Sequence, residues 1–176
     1  LPPPMPQMVV VYFDNDRPDE DSEEPETITS YVDSYEAYIA RRTKFEDRFR
    51  NATRLSDQER EAGVQSIASF FDYDVVGGYN RLLELTERMK PLLAQGRTIK
   101  LSVQGFASPR YKEKYDGGYN RNLACRRVMS LRNYFASIPE LAPHLDQRLI
   151  LEEQCLGDVP GIQATPPQTG VMQNKL

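Results

Sequence analysis

Two adjacent arginines, Arg126 and Arg127, sit in the run YNRNLACRRVMSLRNYFASI (Tyr119–Ile138). On a wheel of about 100° per residue, Leu123, Ala124, Val128, Leu131, Tyr134, Phe135 and Ile138 share one side. Arg127 falls inside that apolar side, whereas Arg126 points away from it, toward solvent. A guanidinium is always charged, and burying one unpaired costs roughly several kcal/mol. Arg127 therefore needs an anion, or a path by which its tip reaches water while its stem packs. Two readings stay open: an internal salt bridge or snorkelling stem, and a cation that waits for a ligand carboxylate in a short, bidentate contact. Asn120, near the start of the same helix, either caps it or hydrogen-bonds a ligand. Asp14, Asn15 and Asp16 follow an apolar run; they form an Asx turn, a pocket rim, or both. Catalytic chemistry has little support. The one histidine, His144, has no triad context, and the two cysteines, Cys125 and Cys155, lie in no metal-ligand pattern. Walker, Rossmann and metal signatures are missing, so the chain is read as no enzyme, with no cofactor.

The elements that must position these residues follow from periodicity. Ile99, Leu101 and Val103 alternate with Thr98, Lys100, Ser102 and Gln104, a strand with one buried face that Gly105 ends. A polar loop then leads to the helix that opens near Tyr119. MVVVYF (Met8–Phe13) reads as another strand and Arg148–Cys155 as a third, with His144 in the loop before it. Aromatics from Thr29 to Phe49 recur at helical spacing, and their stripe is core rather than ligand cage. Ser56 with Glu59 makes a capping-box pattern opening a helix through about Phe71. Tyr79–Gln95 forms a further helix, with Pro91 to kink it and Gly96 as its C-cap. GGYNRLLELTERM (Gly77–Met89) resembles GGYNRNLACRRVM (Gly117–Met129), but Glu87 stands where the second has Arg127, and it lies on a polar side. The similarity is two like helix starts, not two sites. The expected fold class is α/β (α+β): strands near 8–13, 99–105 and 148–154 in one sheet, with helices mainly on one face.

A chain of 176 residues can bury a real core, and 39% apolar with 27% charged residues is ordinary for a globular protein. The net charge of −4 offers no basic excess for nucleic acid. No apolar run approaches the roughly 20 residues of a transmembrane helix. Leu1–Gln7, rich in proline, looks like the end of a stiff linker, so the chain is read as a piece of a larger secreted or periplasmic protein. Cys125 and Cys155 are either free buried thiols or a disulfide; sequence does not choose.

The run G-F-A-S (Gly105–Ser108), a polar loop and then Y-N-x-x-L-x-x-R-R-x-x-x-L from Tyr119 resemble the OmpA-like peptidoglycan-binding domain. The resemblance covers Val9–Phe13 and Ile99–Leu151. It implies a β-α-β-α-β sheet with a helical insertion, here at about 20–75, after the first strand, in a domain spanning 8–176. It also implies a last strand that is absent after Cys155. The function implied is non-catalytic binding of the diaminopimelate residue of a peptidoglycan stem peptide, anchoring an outer-membrane or secretion-system protein to the cell wall. Arg127 matches the family arginine that holds a carboxylate. Ser108 stands where the family has the aspartate that holds the ammonium. If an acid compensates, Asp16 comes first, then Asp14 or Asp116; the competing arrangement uses backbone carbonyls near Ala107 and Ser108. The early FDNDRPD loop, the insert and GFASP are similar to OmpA-like domains of Bacteroidetes surface and type IX secretion proteins. Implied partners are the stem peptide and other envelope or secretion-complex proteins, and the implied location is the periplasm. The alternative is a protein–protein module of an envelope complex that has lost peptidoglycan binding.

Overall fold

The computed structural model describes residues 5, 8–108 and 118–157. Most of the proline-rich segment 1–7, Asp116 and the C-terminal stretch 158–176 lie outside the described residues. Within them the chain is mixed helix and strand, in the order α1 (Tyr31–Ala40), α2 (Arg42–Arg50), α3 (Asp57–Ser69), a π-helical segment (Phe70–Val76), α4 (Gly77–Ala94), β1 (Ile99–Phe106), α5 (Tyr119–Ala136) and β2 (Leu149–Gly157).

β1 and β2 pair in parallel from Ile99 opposite Leu149 to Gly105 opposite Cys155, with an irregularity that sets Phe106 opposite Gly157. A parallel pair needs a crossover, and α5 is that crossover. It packs directly on β1: a Cβ at Gly105 would stand 2.3 Å from the Ala124 carbonyl oxygen and 2.7 Å from Val128. Gly105 therefore does not end the strand; it lets helix and strand backbones meet. Cys125 of α5 and Cys155 of β2 form a disulfide across the same contact, which resolves the open choice between thiols and bridge.

Met8–Phe13 is not a strand, contrary to the sequence expectation, and the described sheet has two strands rather than three. The run alternates because one side of it packs while the other, with Met8 and Val10, is exposed, and not because it pairs. Val9, Val11 and Phe13 pack against the core, and the Val10 carbonyl lies where a Cβ on Gly78 of α4 would be only 2.4 Å away. The Tyr12 carbonyl accepts from the Tyr31 hydroxyl.

The aromatic helix expected over 29–49 is two helices, broken at Arg41. The Ser56–Glu59 capping box is present, each side chain bonded to the other's backbone N–H. The helix it opens does not stop at Phe71. Wider π-helical turns carry it into α4, and they point Phe70, Phe71 and Val75 into one cluster with Tyr38, Phe49, Leu55 and Ile67. Pro91 stays inside α4, whose C-cap is Gln95 rather than Gly96; Gly96 (φ 80°) follows the cap, with bonds from Gly96 N to Leu93 O and Arg97 N to Leu92 O, the Schellman arrangement. A second cluster lies between α1, α4, α5 and the sheet, around Tyr31, Leu82, Met89, Leu93, Phe135, Leu141 and Leu149. Among the described residues no helix is long and apolar enough to cross a membrane.

Candidate ligand site at the start of α5

Arg127 is 8% exposed. Its Nε donates to Arg17 O (2.9 Å), Nη1 to Phe106 O (2.8 Å) and Nη2 to Asp14 O (3.3 Å). The guanidinium also lies 5.2 Å from the Phe13 ring centroid. It thus joins the end of β1, the segment after Phe13 and α5. Of the five N–H groups a guanidinium carries, these bonds use three, and all three acceptors are neutral carbonyls. Burial pulls its pKa down to about 10, against the opposing pull of Asp16, so it remains a cation at neutral pH.

Arg126 does not face solvent. It is 0% exposed, and its Nε and Nη1 donate to Pro18 O (3.0 Å) and Glu24 O (2.6 Å). The wheel ranked the faces of α5 by apolarity alone, but the side opposite the sheet is also covered, by a strap formed by residues 14–29. Together with Arg127, other side chains of α5 hold this strap. Besides Arg126, Asn122 Nδ2 donates to Glu23 O, Thr27 N donates to Met129 Sδ, and Asn133 Nδ2 donates to both Thr27 O and Thr29 O. Asn122, Arg126, Met129 and Asn133 recur at helical spacing, so the second covered stripe is written in the sequence as hydrogen-bonding side chains and a methionine rather than as an apolar stripe.

Asp14 and Asp16 of the strap are both engaged. Asp16, with φ 55°, is buried; its Oδ1 accepts from the Tyr119 hydroxyl (2.5 Å) and its Oδ2 from Asp21 N (2.9 Å). Burial first, and then that bond to Asp16, push Tyr119 well above the ordinary tyrosine pKa. Asp14 is buried and ion-paired to Arg41, its Oδ1 accepts from the adjacent Asn15 N, and Arg17 N donates to Asp14 O, so the turn expected there is closed through the backbone. Both aspartates therefore organise the strap.

Asn120 does not cap α5. Gly118 occupies the cap position and Asn120 is the second helical residue, 7% exposed, with an Oδ1 that has no hydrogen-bond partner. Ala107 is buried, its N–H held by Gly157 O, and Ser108 beside it is half-buried. Among the described residues no group of His, Cys, Asp or Glu is arranged to hold a metal ion.

Arg41 is ion-paired to Asp14, whereas the bonds of Arg126 and Arg127 go to backbone carbonyls. A carboxylate is the chemical complement of the Arg127 fork, with Asn120 Oδ1 as an acceptor for an attached N–H. Comparison with known proteins returns no matching family model, no matching curated protein and no matching solved structure.

Proposed function

We propose that this chain is an OmpA-like, non-catalytic binding domain that takes the diaminopimelate end of a peptidoglycan stem peptide at the start of α5. The observation that carries the reading is the buried Arg127 guanidinium, whose hydrogen bonds among the described residues all go to uncharged carbonyls. A desolvated cation bound only by dipoles gains most from a carboxylate. In this reading the stem-peptide carboxylate meets the remaining Arg127 N–H groups. The ammonium lies toward Asn120 Oδ1 and the carbonyls near Ala107 and Ser108. Asp16 supports the strap rather than the ligand. The same reading makes the chain a periplasmic cell-wall anchor for an outer-membrane or secretion-system protein, and the Cys125–Cys155 disulfide accords with an oxidising compartment.

One observation favours the second reading, an envelope-complex interaction module without peptidoglycan binding. Arg127 already holds three of the chain's own carbonyls, and Ser108 brings no charge. Co-sedimentation with purified sacculi separates the two. The anchor reading expects saturable pelleting that free stem peptide competes away, while protein that stays in the supernatant at every sacculus concentration sides with the interaction module.

A further inference from the structure

The strap presents its outer side chains from a fixed backbone. Glu23 O, Glu24 O, Thr27 N, Thr27 O and Thr29 O are all bonded to α5 side chains. Between these anchors, the side chains of Glu23, Glu24 and Glu26 are exposed and have no ion pair among the described residues. Ile28 is 101% exposed, standing out between Thr27, which is buried, and Thr29. Three unpaired acids and one projecting aliphatic side chain are thus held without the usual loop freedom, which lowers the entropy lost on binding.

A complementary surface stands elsewhere in the same chain. Arg41, Lys44, Phe45 and Arg48 recur at i, i+3, i+4 and i+7 along α2 and its cap, so they share one face. Phe45 is flanked by two guanidinia, Arg41 at 5.4 Å and Arg48 at 5.2 Å from its centroid. Arg41 holds Asp14, but Lys44 and Arg48 are exposed and have no ion pair among the described residues. A protein of net charge −4 therefore concentrates uncompensated positive charge around a half-buried aromatic ring on one short helix.

We infer that the α2 face of one molecule receives the Glu23–Ile28 strap of a second copy, in a head-to-tail contact. The carboxylates meet Lys44 and Arg48, and Ile28 packs toward Phe45. The contact joins two different surfaces, so it is heterologous and propagates unless a rotation closes it. It is electrostatic at its rim and weakens as salt screens it. It does not depend on the stem-peptide reading, since neither surface includes Arg127 or Asn120.

The experiment is sedimentation velocity over a concentration series of the chain, at low salt and at high salt, for the parent and two charge-reversed forms. The basic face is reversed by Lys44→Glu with Arg48→Glu, and the strap by Glu23→Lys with Glu26→Lys. The parent self-associates at low salt and dissociates at high salt, and each reversed form alone is monomeric. An equimolar mixture of the two reversed forms associates again, because each then offers a surface complementary to the other. This restoration separates a real contact from lost folding. A parent that is monomeric throughout at low salt overturns the inference, as does a mixture that stays monomeric or a reversed form that associates like the parent.

Discussion

Removing Arg126 should cost about as much stability as removing Arg127. Arg126→Ala strands the Pro18 and Glu24 carbonyls, and bonds from a charged donor contribute about 1.5–3 kcal/mol each at most. A loss of about 2–4 kcal/mol in urea unfolding is expected for either arginine. An Arg126→Ala variant as stable as the parent would mean that the strap holds without it. The burial of Arg127 was legible because it falls inside the apolar stripe of its own helix. Arg126 was not, because its burial comes from a segment about a hundred residues away in sequence, and a helical wheel knows only its own helix. Buried phenols set the alkaline limit. Tyr31, Tyr38 and Tyr119 all have pKa values raised mainly by burial. A raised tyrosine binds its proton more tightly when folded, so its contribution is present below the unfolded value of about 10 and is lost as pH rises above it. Arg127, pulled down to about 10, acts with the opposite sign and offsets one of the three. Stability should hold to about pH 9 and then fall with increasing pH, and a melting temperature that rises between pH 9 and 11 would contradict this account.

At the level of elements, the site depends on how closely α5 approaches β1. Gly105→Ala places a methyl group against the Ala124 carbonyl and Val128, neither of which is the free end of a flexible side chain. A destabilisation of about 2–4 kcal/mol is expected, with Arg127 displaced from Phe106 O. Gly105→Ala with unchanged denaturation would show that the helix can move off the strand. The disulfide closes the same unit across a separation of 30 residues, and Cys125→Ser with Cys155→Ser should cost about 2–4 kcal/mol in the oxidised protein, read by calorimetry. β1, β2, α5 and the Ser56 cap were legible because alternation, periodicity and capping chemistry are local signals. The missing first strand was not. Met8–Phe13 has the composition of a strand, yet its carbonyls meet Gly78 of α4 and the Tyr31 hydroxyl, and sequence reports burial without saying what lies opposite. The π-helical join of α3 and α4 was hidden for a related reason: two helices were expected with a gap from Phe71 to Tyr79, but the segment stays helical and Gly78 lets it pass close to the Val10 carbonyl.

For the whole molecule, the strap and the end of β1 enclose Arg127, and in the proposed function its remaining N–H groups receive a carboxylate. The groups around Arg127 come from several elements, Arg41 from the junction of α1 and α2, Arg126 from α5, and Asp14 and Asp16 from the strap. The most direct measurement is isothermal titration of the chain with a stem peptide ending in diaminopimelate, for the parent and for Arg127→Lys. Lysine keeps the charge but loses the planar fork. The account predicts one-to-one binding to the parent, weakened by about tenfold or more in Arg127→Lys, with far-ultraviolet circular dichroism unchanged. Equal affinity in the two proteins, or no binding heat with the parent, would contradict it.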